Sequence, residues 1–201
     1  MGEQQLFQPL TREDKITTVL YRAGIVSSTL IIAVVAYLAV QADAGLDSLC
    51  CDRSLEYYGY GLYVSVGLSV FFIHLYISAF KRVLRNIYLI SLVCLGMLLL
   101  KGSGSLVSGL LFVPYSPLLL LPLAGCLGFV TAKEAFCFKL FEGYLLAVIM
   151  PLYLALVAGH VLSGRAGVYG LVLIAIMLVV FTLRKVFMPL AYDIGDKSAY
   201  R

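Results

Sequence analysis

The sequence predicts an all-α fold, a polytopic transmembrane helical bundle of about six spans, one of them interrupted by prolines. Three observations carry this. Of 201 residues, 62% are hydrophobic and only 13% charged, with a mean hydropathy of +0.98; soluble domains carry about 25% charged residues. A chain this short and this apolar cannot hide its side chains in one core, so lipid must be the solvent for much of it. Second, the apolar residues gather in runs close to span length. Third, the basic residues sit between those runs in the alternating way that an even number of crossings requires.

A span needs about 20 apolar residues to cross a hydrocarbon core of about 30 Å. Six runs qualify: 23–40, 57–80, 86–100, 106–130, 143–162 and 167–183. The first follows Arg22 and precedes Ala42-Asp43-Ala44, a small-x-small pattern. Its apolar stretch and leader are long for a signal peptide, so it reads as an uncleaved span. The third is short, about 22 Å at 1.5 Å per residue; it is expected to recruit 102–105 or to thin the bilayer locally. The fourth carries Pro114, Pro117 and Pro122. Each proline removes a helical donor, so a kink, a break or a re-entrant path is expected there.

Orientation follows from lysine and arginine. With six spans, twelve of the fifteen fall on one side: Arg12, Lys15 and Arg22; Lys81, Arg82 and Arg85; Lys133 and Lys139; Arg184, Lys185, Lys197 and Arg201. Arg53, Lys101 and Arg165 fall on the other, where Asp43, Asp47, Asp52 and Glu56 make the first loop acidic. Both termini are therefore expected on the cytosolic or stromal side. The chain divides into an arm (1–22), a six-span bundle (23–183) and a tail (184–201).

Several features read as architecture. Tyr57, Tyr58, Tyr60 and Tyr63 cluster where the second span begins, the depth that suits an apolar ring with a polar tip. Gly61, Ser65 and Ser69 form a small-residue stripe on the second span, and Ala147, Pro151, Ala155 and Gly159 form one on the fifth. Such stripes let helix backbones approach closely in lipid. The five cysteines show neither CxxC nor Cys/His spacing, so no metal site is expected.

Five residues are candidates for chemistry: His74, Lys133, Glu134, Cys137 and His160. Every Asp, Glu, Lys and Arg falls at a span end or in a loop, which argues against an ion-coupled transporter. His74 and His160 are the only histidines. On the predicted spans they lie at different depths, roughly 15 Å apart, too far to share one haem iron. Each can hold a hydrogen-bonded quinone or ligate a pigment, or else serve a structural hydrogen bond. Lys133 and Cys137 share a face if the segment is helical, and a nearby ammonium favours the reactive thiolate; surface ion pairing is the other reading of this cluster. No phosphate loop, GxSxG or HExxH motif is present.

These segments carry a resemblance. Gly67-Leu68-Ser69, Ile73-His74-Leu75-Tyr76 with Lys81-Arg82, the run Lys133-Glu134-Ala135-Phe136-Cys137-Phe138, and Gly159-His160 resemble a family of uncharacterised integral membrane proteins of cyanobacteria and plastids, catalogued as a domain of unknown function. The resemblance spans nearly the whole chain and implies a photosynthetic, thylakoid-type membrane. It brings no reaction with it.

The sequence thus leads to a multi-pass membrane protein of unassigned activity. One reading is a non-catalytic accessory or assembly factor that meets the lipid bilayer and other membrane proteins, and no nucleic acid. The alternative is a small membrane enzyme or carrier for a quinone, pigment or lipid, acting at His74 with Lys133, Glu134 and Cys137. No cofactor is identified, with pigment and quinone the classes left open.

Overall fold

The fold is taken from a computed structural model, which describes residues 11–42, 54–75, 78–112 and 115–189. Its described part is built of helices: α1 (Arg12–Gln41), α2 (Ser54–Phe72), α3 (Ser78–Lys101), the short α4 (Leu106–Phe112), a 3-10 segment (Ser116–Leu120), α5 (Leu121–Phe138), α6 (Phe141–Ala158) and α7 (Gly164–Val186). Five segments are long and apolar enough to cross a membrane: α1, α3, Ser116–Phe138, α6 and α7. Their outward faces are greasy. Leu30, Val93, Val148 and Ile176 are each more than half exposed, as a lipid-facing surface requires and a water-facing one does not tolerate.

The first helix begins at Arg12, ahead of its apolar run, because Thr11 caps it. Asp14 N–H donates to Thr11 Oγ1 at 3.2 Å, and Thr11 N–H donates back to Asp14 Oδ2 at 2.9 Å, a reciprocal capping box. Arg22 closes the far terminus of the same bundle. Its guanidinium donates to the carbonyls of Val186, Met188 and Pro189, satisfying acceptors that the end of α7 leaves open. The start of α1 and the end of α7 therefore share one end of the bundle, called the base below.

Helix α2 lies antiparallel on α1. Contacts run from Ile31 against Gly61, through Ser28 Oγ donating to Ser65 Oγ at 2.9 Å, to Thr17 against His74. That register, taken to His74 just past the end of α2, spans about 21 Å of α1, so α2 runs beside most of α1, although it is not among the five segments long and apolar enough to cross. Its small-residue stripe is the contact: a Cβ on Gly24 would stand 2.6 Å from Ser65 O and 2.4 Å from Ser69 Oγ. The α6 stripe behaves differently. Ala147 meets Gly128 of α5, but Ala155 and Gly159 are exposed, and Gly143, Leu146 and Met150 form the buried face instead.

Three boundaries differ from the expectation. The second span was expected to run to residue 80; α2 stops at Phe72, and Ile73–Leu75 are non-helical. Hydropathy misses this end because Ile73 stays buried in the core. The third span is not short. α3 starts at Ser78 and has 24 residues, about 36 Å, so Lys81, Arg82 and Arg85 sit on its first turns. Long cationic side chains can ride such turns with their heads toward water, and Arg85 stacks over the Phe71 ring at 5.6 Å. Residues 102–104 form a turn rather than added helix. Finally, α5 continues past residue 130 to Phe138, which puts Lys133, Glu134 and Cys137 on helix rather than in a loop.

The proline-rich span is interrupted as expected. After α4 the chain reaches Tyr115 in the left-handed region (φ 60°), then the 3-10 segment with Pro117 in its first turn, then α5 with Pro122 in its own. Proline suits such starts, where no N–H is needed. Pro114 lies outside the described residues. α4 is held by α2: Glu56 accepts from Leu106 N–H at 3.1 Å, from Val107 N–H at 3.3 Å and from the Ser105 hydroxyl.

Candidate functional site

Two places gather polar or concave features, one at each end of the bundle. At the base, Glu134 of α5 is fully buried, with partners from three helices. The Tyr21 hydroxyl of α1 donates to its Oε1 at 2.6 Å, Lys133 Nζ donates to the same oxygen at 2.7 Å, and Lys185 of α7 pairs with Oε2. Lys185 is itself 1% exposed and lies over the Phe138 ring at 4.1 Å, while Lys133 lies over the Tyr21 ring at 5.4 Å. A buried carboxylate persists only when paired and hydrogen-bonded, and here both oxygens are engaged. The arrangement ties α1, α5 and α7 together.

His74 stands one turn away. Its Nε2 is 3.2 Å from Thr17 Oγ1, and Thr17 is four residues before Tyr21, on the same face of α1. The Thr17 hydroxyl also lies within bonding distance of the carbonyls of Glu13 and Asp14. Thus Lys133 and Glu134 are brought together, and His74 is set against the same face of α1. Cys137 is exposed, while the Lys133 ammonium is turned to Glu134 and Tyr21. Tyr21 and Lys185 were not singled out from sequence. By sequence Lys185 is one of the basic residues of the tail, and Tyr21 stands in the arm with no pattern pointing to α5.

At the opposite end lies a cavity of about 570 Å³, within the range that holds small organic ligands. Its wall draws on six helices, with Ile32 and Val35 from α1, Leu62 and Val66 from α2, Leu110 from α4, Leu127 from α5, Met150 from α6 and Ile174 from α7. Among the described residues, no Asp, Glu, Lys or Arg belongs to that wall. Its polar members include Tyr58, Tyr115, Tyr153, His160 and Ser163. The Tyr153 hydroxyl is used locally, donating to Gly167 O at 3.0 Å. Of the predicted tyrosine cluster, Tyr57 is exposed while Tyr58 and Tyr63 line this cavity. His160, expected at the end of the fifth span, follows the C-terminus of α6 with φ 55° and is exposed at the cavity rim. The two histidines therefore stand at opposite ends. Among the described residues no group of His, Cys, Asp and Glu could hold a metal ion.

The comparisons agree with this architecture. Residues 68–201 match the model of an uncharacterised integral membrane protein family, DUF2301. The chain belongs to that family. The match begins within α2 and takes in the base cluster's Lys133, Glu134 and Lys185, together with both histidines. No curated protein and no solved structure matches the chain. Membership in DUF2301 establishes an integral membrane protein and assigns it no activity.

Proposed function

We propose that this protein is a non-catalytic accessory factor of its membrane, and that its task is to hold a lipophilic molecule in the cavity opposite the base. The cavity is the single observation that carries this. Lipid-embedded helices gain little by leaving a hole, since unfilled space forfeits dispersion contacts on every wall. A space of about 570 Å³ shared by six helices is the size and composition of a small-molecule site. The photosynthetic membrane is the setting that the sequence resemblance implies, and the positive charge of the base supports a cytosolic or stromal side for both termini.

The test is copurification. The full chain is extracted in maltoside and analysed by native mass spectrometry beside the variant Leu62→Trp/Ala124→Phe, which fills the cavity. A lipophilic adduct on the parent that is missing from an equally folded variant supports the reading. An adduct-free parent, or an adduct that survives filling, overturns it.

The enzyme or carrier reading has one observation behind it: Thr17 and Tyr21, a turn apart on α1, hold His74 and Glu134 respectively. Its test is His74→Phe. Full complementation of a deletion strain by a stable His74→Phe protein removes His74 as a site residue.

A further inference from the structure

We infer that the cavity takes a neutral amphiphile with a carbonyl-type head, and that His160 at the rim reads the head. The inference rests on the proposal that the cavity holds a lipophile. The wall states the charge of the ligand. A charged head drawn into a cavity whose wall, among the described residues, holds no carboxylate, ammonium or guanidinium would lose hydration with no opposite charge from those residues to offset it. Two described charged residues next in sequence to wall residues stand outside it. Glu56 is turned to Ser105, Leu106 and Val107 at the start of α4, and Arg165 is exposed beyond the wall residue Gly164. The polar groups that do belong to the wall near the rim, Tyr58, Tyr115, His160 and Ser163, are phenol, imidazole and hydroxyl. All can donate hydrogen bonds without carrying charge, the complement of a quinone, ester or ketone oxygen.

The backbone marks two of them, Tyr115 at φ 60° and His160 at φ 55°, and of the two it is His160 that follows the end of α6. After α6 the chain turns through His160 at φ 55°, with Val161 N–H and Leu162 N–H both bonding back to Leu156 O. This is the left-handed position that closes a helix, where glycine is the residue without a steric penalty. An imidazole stands there instead, at the cavity mouth. A side chain in a strained conformation at a concave site is an observation from which a role can be argued.

The experiment uses one tail and three heads: methyl laurate, laurate and dodecylammonium, titrated at pH 8 against the full chain in maltoside and counted by native mass spectrometry. Wild type should bind the methyl ester at least about tenfold tighter than either ion, and His160→Gly should lose about tenfold in affinity for the ester, roughly one hydrogen bond. Because glycine suits that backbone position, His160→Gly should melt no lower than wild type, so the loss is not one of folding. Equal binding of all three heads, preference for an ion, or an unchanged ester affinity in His160→Gly overturns the inference while the cavity reading stands. If none of the three binds to wild type in competition with the Leu62→Trp/Ala124→Phe control, the cavity reading itself falls.

Discussion

Tyr21 and Glu134 are separated by 113 residues of chain and joined by a 2.6 Å hydrogen bond inside the bundle. Around that bond, Lys133 and Lys185 complete the coordination of a carboxylate with no exposed surface. The cluster sits where α1, α5 and α7 converge. It is therefore a point at which one substitution strands several groups at once.

Glu134→Ala should be among the most damaging single changes in the chain. It leaves Lys185 buried without its carboxylate, and removing one partner of a buried ion pair costs about 3–5 kcal/mol. Lys185→Met should cost less, because Lys133 still faces Glu134 at 2.7 Å. Thermal unfolding in a fixed detergent checks the order; a Glu134→Ala protein that melts with wild type would remove the cluster as a structural lock.

Gly24 and Gly96 make a matched pair. A Cβ at Gly24 would meet Ser69 N at 2.8 Å as well as the Ser65 carbonyl, whereas one at Gly96 meets nothing within 4 Å. Gly24→Ala should force α1 from α2 and cost about 1–3 kcal/mol. Gly96→Ala, mid-helix in α3, should be neutral or stabilising by up to about 1 kcal/mol. The same melting assay reads both, and equal effects would contradict the α1–α2 register.

The Glu56 carboxylate holds the first two amides of α4. Glu56→Ala should free them, so hydrogen exchange should quicken at Leu106 and Val107 while the amides of α6 are unchanged. Unaltered exchange at those two positions would show that α4 is held by packing alone.

Topology is open to labelling. Cys137 is exposed near the base end of α5, while Cys50 and Cys51 lie in the connection from α1 to α2, outside the described residues. A membrane-impermeant maleimide should reach Cys137 and the Cys50–Cys51 pair from opposite faces. Modification of both sets from one face would refute six crossings.

Much of the fold was readable from sequence because the quantity that makes a span is local. Twenty apolar residues cross a bilayer whatever their neighbours are, so the class of fold, the approximate count of spans and the interruption near Pro117 and Pro122 needed no tertiary information. Charge placement is equally local, and it put Lys133, Glu134 and His74 near one end. Helix ends were less legible. Burial of Ile73 prolongs the apolar signal past the end of α2, and the cationic first turns of α3 hide its start.

What only the tertiary structure decided is which faces meet. Nothing around Tyr21 names Glu134, because the contact depends on the rotation of α1 against α5 and on α7 bringing Lys185 to the same depth. The cavity is likewise invisible along the chain. Its wall residues are ordinary core leucines, valines and tyrosines, and the space exists only because six helices leave it between them. Sequence composition states that these side chains must avoid water; the packing of one helix against another determines whether they fill the interior or leave room for a guest.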